Sequence, residues 1–409
     1  MFGSLVFFRS GFLVKLASQK TGYMPTLDGW RAIAILSVIF CHDALHPHAL
    51  GVFSTRWLYE YGDLGVDLFF AISGLLICSR LLDEERINGK IHLRGFYLRR
   101  GFRILPPVFL YLGVISILSV FSVIAITRAE LAAEVAESLL FCRNLNTSYF
   151  LGTHTYGAWW YTGHFWSLSL EEQFYLLLPT FLVLIAGRYR AHALGVLAVA
   201  VAVHRSLAMG ACPGGWGIKF HTGVRIDALL VPAMMAVLAS SPQIRAVFQR
   251  YLRVWPLGVI VFLCLVPFGH GTAWGLTVFI WLLPAIVLGS VLNPANIFGR
   301  FLEWSVLRYI GRISYSLYLW QELFFTGHFF WEGSHALGWL QSWPLRLVLT
   351  FVLAALSYHL LECPLIRLGY KLAPPATAGR QELDATNSEC SQPSVIDPSS
   401  ARQEPQVTA

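Results

Sequence analysis

The chain has 409 residues, of which 56% are hydrophobic and only 13% are charged, and its formal net charge is +7. A soluble domain carries about 25% charged residues, so a chain this apolar could not cover a water-exposed surface. The charges stand in short clusters between apolar runs, which argues against nucleic-acid binding and predicts an integral membrane protein. No Cys or His cluster has metal-ligand spacing, so we predict no metal site.

Ten apolar segments are predicted to span the membrane as helices, because a helical span needs about 20 mostly apolar residues. Lipid offers no partners to backbone polar groups, and the alternation typical of membrane β-barrels is absent, so we predict an all-α bundle. The ten predicted spans are 28–46, 63–82, 104–127, 172–187, 191–208, 224–240, 254–269, 273–291, 308–330 and 344–363.

The distribution of Lys and Arg predicts the orientation of the chain. With the N-terminus inside, 22 of these residues fall in inner segments and 7 in outer ones. The positive-inside rule then places both termini in the cytoplasm. We predict a cytoplasmic or interfacial amphipathic segment over 1–26, a membrane domain over 27–370 and a disordered, polar cytoplasmic tail over 371–409.

The first predicted span carries Arg31 and, eleven residues later, His42 followed by Asp43. Eleven residues are three helical turns and about 16 Å, so Arg31 and His42 lie on nearly the same face. Charged groups within a span often mark function. A snorkelling arginine and a histidine at the outer interface would explain the same pattern.

The second predicted span contains Ser73 and Gly74, which are small enough to let a neighbouring helix or a ligand approach closely. Before the third span, Arg99, Arg100 and Arg103 form a basic cluster at the membrane surface. Anionic lipid headgroups would explain this cluster. A phosphorylated cofactor would explain it equally, because guanidinium groups suit phosphate.

Ser167, Glu171 and Tyr175 open the fourth predicted span at i, i+4 and i+8, so they stack along one helix face. An N-terminal cap would account for the serine and one acid. Glu172 adds a second carboxylate, which exceeds what a cap needs. Trp166 precedes Ser167, and an interfacial aromatic belt or a sugar-binding mouth would each explain it.

Seven motifs in chain order resemble the acyltransferase-3 family of membrane O-acyltransferases. They are Leu-Asp-Gly-x-Arg at 27–31 with a His eleven residues after the Arg, Gly-Val-Asp-x-Phe-Phe-x-x-Ser-Gly at 65–74, Arg-Arg-x-x-Arg-Ile-x-Pro at 99–106, Trp-Ser-Leu-Ser-x-Glu-Glu-Gln-Phe-Tyr at 166–175, Arg-x-Asp-Ala-Leu at 225–229, Ile-Ser-Tyr-Ser-Leu-Tyr-Leu-Trp at 313–320 and Glu-x-Pro at 362–364. The chain departs from the family at Gln321, where the family usually has His, so the titratable group expected there is missing.

The resemblance implies transfer of an acyl group, usually acetyl, from cytoplasmic acyl-CoA to a hydroxyl of an envelope polysaccharide or glycolipid. It implies a multi-pass protein of the bacterial inner membrane, with acyl-CoA as donor substrate, no permanently bound cofactor, and membrane lipid and envelope-biosynthesis proteins as further partners. His42 would be the catalytic base, oriented by Glu171 or Asp43. The donor-binding residues would be Arg31, Arg99, Arg100, Arg103, Ser73 and Gly74. The acceptor-binding residues would be Ser167, Glu172, Tyr175, Trp166, Arg225 and Asp227.

Two other classes of protein fit the predicted spans. A transporter or flippase of a lipid-linked glycan would suit the intramembrane charges, but it gives His42 and the basic cluster no specific task. A lipid-binding scaffold would explain the basic cluster but not the carboxylates on the outer side.

Overall fold

The computed structural model describes residues 24–44, 61–62, 64–123, 127–145, 159–211, 216–325 and 338–374. Helices and turns make up this described part and no strand occurs in it, which confirms the all-α prediction. The helices of eight or more residues are α1 Pro25–Ala44, α2 Gly65–Asn88, α3 Leu93–Val120, α4 Arg128–Leu139, α5 Phe165–Leu184, α6 Gly187–Ala211, α7 Asp227–Ala239, α8 Pro242–Tyr251, α9 Trp255–Gly269, α10 Ala273–Leu292, α11 Ser305–Arg312, α12 Ser314–Phe325, α13 Leu345–Ser357 and α14 Cys363–Leu372.

Six helical segments in the described ranges are long and apolar enough to cross a membrane. They are Gly65–Asn88, Leu93–Val120, Gly187–Ala211, Pro242–Gly269, Ala273–Leu292 and Leu345–Leu372. Several helices in a single chain that can each cross a bilayer make this an integral, multi-pass membrane protein.

These six segments coincide with six of the ten predicted spans. The other four, 28–46, 172–187, 224–240 and 308–330, fall on helices that do not combine sufficient length and apolarity, so ten crossings remain a prediction. Most of the predicted amphipathic N-terminus and of the predicted tail lies outside the described residues. The last described helix continues to Leu372, just past the predicted start of the tail at 371.

The centre of the bundle is built where α2 packs against α1 and α7. A Cβ atom at Gly65 would lie 2.5 Å from the carbonyl oxygen of Ala34, and one at Gly74 would lie 2.6 Å from that of Leu229. Only glycine allows the backbones to approach this closely. The peripheral helices α6 and α9 instead carry exposed apolar side chains, as lipid-facing helices do.

The helix α4 lies outside the six segments that can span the membrane. Its start is fixed by a capping box, in which Thr127 and Glu130 bond to each other's backbone N–H groups. Farther along, Glu134 is buried, pairs with Arg143 at 3.0 Å and accepts a hydrogen bond from Thr162. Burial raises the pKa of Glu134 to about 7, although Arg143 acts in the opposite direction.

Candidate active site

His42 lies near the C-terminal end of α1 and contacts two consecutive side chains of α12. Its Nδ1 is 3.1 Å from Oε1 of Gln321 and 3.5 Å from Oε1 of Glu322. An amide oxygen can only accept a hydrogen bond, so Nδ1 carries the ring proton and Nε2 keeps its lone pair. The ring is 23% exposed. The contact with Gln321 therefore leaves the lone pair on Nε2 of His42, in a side chain that is partly exposed.

The two carboxylates that the sequence suggested as partners of His42 make their hydrogen bonds elsewhere. Asp43 forms a buried ion pair with Arg346 of α13. Glu171 accepts a hydrogen bond of 2.9 Å from the hydroxyl of Ser73. The acid next to His42 is Glu322, which sequence reasoning missed. A charged residue within the apolar run of α12 was the available signal.

The predicted face of α5 points into the bundle and contacts three other helices. Ser167 and the hydroxyl of Tyr318 on α12 are 2.6 Å apart. Glu171 meets α2 through Ser73, and the guanidinium of Arg100 on α3 lies 3.8 Å from the centre of the Tyr175 ring. The stacking of Ser167, Glu171 and Tyr175 on one face thus places all three in the interior.

The arginines predicted to bind the donor differ in how far their charges are already neutralised. Arg31 pairs with Asp28 at 3.0 Å. Arg99 lies 3.7 Å from Glu84, and Arg100 lies 3.4 Å from Glu172.

Arg103 has no carboxylate within ion-pair distance among the described residues, and it lies near the positive charges of Arg31 and Arg100. Three of these four arginines therefore have one acidic partner each, whereas Arg103 interacts with Glu362 only beyond ion-pair distance and leaves an excess of positive charge in the cluster. A bound anion would relieve this excess of charge.

Ser73 and Gly74 adjoin on α2 but have separate surroundings. Ser73 bonds to Glu171 in the bundle interior, whereas Gly74 faces the backbone of α7. Gly74 thus serves the packing of two helices in this structure, and its predicted contact with the donor stays a prediction.

Three residues predicted to bind the acceptor belong to a buried network of charges. Arg225 pairs with Asp67 at 2.8 Å, and Asp227 pairs with Arg205 at 2.8 Å. The ring of Trp166 lies under the guanidinium of Arg225, 5.8 Å from its carbon. The first pair joins α2 to the short helix Thr222–Arg225 that precedes α7, the second joins α6 to α7, and neither presents an uncompensated charge.

Comparison of the sequence with known proteins identifies the family of this chain. Residues 24–361 match the family model Acyl_transf_3, which describes an acyltransferase domain. Since the match covers most of the chain, the chain belongs to the acyltransferase-3 family.

Relatives of this chain carry names that describe O-acetyltransferases. The chain is 28% identical over 383 residues to "O-acetyltransferase OatA" of Staphylococcus aureus strain NCTC 8325, a match covering 88% of this chain and 59% of that protein. It is 29% identical over 379 residues to "Putative O-acetyltransferase SAS0844" of strain MSSA476, covering 86% of this chain and 59% of that protein. The chain thus spans about three fifths of the length of these relatives. No solved structure matches it.

Proposed function

We propose that this protein is a membrane O-acyltransferase that transfers an acetyl group from acetyl-CoA to a hydroxyl of an envelope polysaccharide or glycolipid. The observation that carries the proposal is the His42 ring, held through Nδ1 by Gln321 and beside Glu322, with no partner of Nε2 among the described residues. The family supports acyl transfer, and the names of the relatives favour O-acetylation.

The proposed reaction needs a base next to the acceptor hydroxyl. Nε2 of His42 takes the hydroxyl proton while the oxygen attacks the thioester carbonyl carbon. The tetrahedral intermediate collapses, the carbon–sulfur bond breaks, and the departing thiolate of coenzyme A recovers the proton from Nε2. The products are an ester and free coenzyme A. The negative charge of Glu322 stabilises the imidazolium that exists between these two proton transfers.

The proposed topology separates the two substrates. With ten spans and both termini in the cytoplasm, the basic cluster of α3 and Arg31 lie at the cytoplasmic end of the bundle. His42 lies about 16 Å farther along α1. The phosphates of acetyl-CoA would bind the arginines, and its extended pantetheine arm would bring the thioester to His42. The acceptor would enter from the opposite side of the bacterial inner membrane.

The deciding experiment replaces His42. Purified protein in liposomes is given radiolabelled acetyl-CoA and the envelope glycan of its own organism, and acetyl ester on the glycan is measured. His42→Ala should lower the rate by about 10²–10⁴-fold, because it removes the base. His204→Gln is the matched control, since the His204 side chain is exposed and, in the described part of the chain, its ring bonds to the carbonyl of Gly223.

A His42→Ala protein that keeps its melting temperature and transfers acetyl within about tenfold of the parent contradicts the proposal. Movement of unmodified glycan across the bilayer without ester formation would instead favour a flippase.

A further inference from the structure

His164 is a buried histidine that neither the motifs nor the proposed reaction uses. It stands in the turn just before α5 and is 3% exposed. Its ring is surrounded by the rings of Tyr111, Phe165 and Tyr318, with centroids 5.3, 4.8 and 5.4 Å away. Neither ring nitrogen has a hydrogen-bond partner among the described residues.

The structural role of this residue is carried by its backbone and leaves the imidazole unused. The carbonyl oxygen of His164 accepts hydrogen bonds from the hydroxyl of Tyr318 at 3.0 Å and from that of Ser167 at 3.2 Å. A buried polar group without a partner costs about 1–3 kcal/mol. An apolar ring would fill the same aromatic enclosure without that cost, so the imidazole needs another explanation.

Two more unpaired nitrogens lie in the same region, on α12. Nε1 of Trp320 and Nε2 of Gln321 are buried and have no partner in the described part of the chain. The ring of Tyr111 contacts both sides of this region, since it lies 5.3 Å from the His164 ring and 5.6 Å from that of Trp320. The oxygen of the same Gln321 amide bonds to His42. Gln321 therefore joins the base to this group of unpaired nitrogens.

The surroundings of His164 also favour its neutral form. Burial, with a further contribution from His42, lowers its pKa well below the usual value. A neutral imidazole has one N–H donor and one lone pair. A hydroxyl group matches it, because a hydroxyl both donates and accepts. An acyl chain would leave the three nitrogens unsatisfied.

We propose that His164, Trp320 and Gln321 form the binding site for the acceptor and that this site takes a sugar ring bearing hydroxyl groups. The inference rests on the proposed function and adds the location and chemistry of the acceptor site. Aromatic walls with a few convergent polar groups are typical of small-ligand sites. The site also lies at the right end of the bundle, because His42 near the end of α1 and His164 before the start of α5 share the end predicted to face outward.

The test separates binding of the acceptor from binding of the donor. The acceptor probe is envelope glycan from a strain without this protein, stripped of esters by mild alkali. Parent, His164→Phe and His164→Asn proteins in liposomes are assayed with acetyl-CoA while each substrate is varied in turn. Phe keeps the aromatic packing and removes both polar atoms, whereas Asn keeps a donor and an acceptor. His204→Gln is the control.

For His164→Phe we expect KM for the stripped glycan to rise about tenfold or more. KM for acetyl-CoA and kcat should stay within about threefold of the parent, because the His164 ring is not used by the donor or by the proton transfer. His164→Asn should lie between parent and Phe. The melting temperature of His164→Phe should match the parent, since the enclosure remains filled.

Three results overturn the proposal: an unchanged glycan KM in His164→Phe, a raised KM for acetyl-CoA, or a loss of folding in both variants, which would make the ring a structural element. Failure of the proposed function looks different. In that case the parent transfers no acetyl group to the stripped glycan, or His42→Ala remains active, whatever the His164 variants do.

Discussion

Oε1 of Gln321 lies 3.1 Å from Nδ1 of His42, so an uncharged side chain holds the ring that we propose as the base. At position 321, the resemblance to the acyltransferase-3 family predicts His. Either side chain can satisfy Nδ1–H, since an imidazole nitrogen and an amide oxygen both accept a hydrogen bond. The departure at Gln321 therefore removes a titratable group and keeps the function of orienting His42.

Substitutions of Gln321 should lower the rate only when they remove the atom that accepts the hydrogen bond from Nδ1 of His42. Gln321→Ala leaves Nδ1 of His42 without its amide partner, and we expect kcat to fall by about tenfold or more, because a base in the wrong tautomer is ineffective. Gln321→His should stay within about threefold of the parent. Acetyl transfer measured across pH 5–9 checks both. Equal losses in the two variants would contradict the orienting role.

Arg103, which has no ion pair among the described residues, should be needed for donor binding. Arg103→Ala should raise the Kd for acetyl-CoA by about tenfold or more, and Arg103→Lys should recover only part of the affinity, since Lys lacks the paired donors of Arg. Calorimetry in a neutral detergent without anionic lipid measures this effect. Arg86→Ala, at an exposed residue paired with Asp83, is the control. Unchanged affinity in Arg103→Ala would favour a lipid-binding role for the cluster.

The proposed topology can be tested at two exposed positions. In a cysteine-free background, Lys90→Cys lies between α2 and α3, and Ala133→Cys lies on α4. An impermeant maleimide added outside intact cells should label position 133 and spare position 90. After the cells are opened, both positions should react. Labelling of position 90 from outside would show that the orientation is the opposite of the proposed one. The basic cluster of α3 would then face outward, and the proposed donor site would be wrong.

The buried pair of Arg225 and Asp67 should be important for stability. Asp67→Asn leaves the guanidinium buried without its countercharge, and breaking such a pair costs about 3–5 kcal/mol. We therefore expect a melting temperature well below that of the parent. The double variant Asp67→Asn with Arg225→Gln should recover part of the loss, because no uncompensated charge remains. A double variant that is less stable than Asp67→Asn alone would show that the two residues do not act as a unit. If Arg225 also binds the acceptor, the double variant will fold and still show a raised KM for the glycan.

Glu134 should make the stability of the α4 region depend on pH. Burial raises its pKa to about 7 in the folded protein, from an ordinary value of 4.5. The folded state thus holds this proton more tightly than the unfolded state, so stability is highest below about pH 4.5 and falls as the pH rises through 7. Glu134→Gln should flatten this dependence in melting temperatures measured in detergent from pH 5 to 8. Asp83→Asn, at an exposed acid, should leave it as in the parent.

The features that could be predicted from the sequence are those set by short-range periodicity. Composition and apolar length predicted a membrane helix bundle, and the spacing of four placed Ser167, Glu171 and Tyr175 on one buried face, because both depend on neighbouring residues of one helix. The partner of His42 could not be found this way. Gln321 and Glu322 are brought to His42 by the packing of α12 against α1, a contact between segments about 280 residues apart.

The same limit applies to the charges. The sequence offered Asp43 as a neighbour of His42, yet adjacent residues of a helix point in different directions, and Asp43 turns to Arg346. For Arg225 and Asp227, the motif marked both residues but could not show that their charges are already compensated by Asp67 and Arg205. A pattern of charges along a chain does not reveal which of them meet.

The contacts of α1 have a consequence for how catalysis would be organised. A Cβ atom at Gly311 would overlap the backbone of Asp28, and one at Gly65 would crowd Ala34, so α1 touches α11 and α2 backbone to backbone. A helix held on two sides in this way has little freedom to slide along its axis. Arg31 and His42 therefore keep fixed positions relative to α2 and α11. In the proposed reaction, α1 would therefore stay stationary while the thioester arm and the sugar came to it from opposite faces of the bilayer.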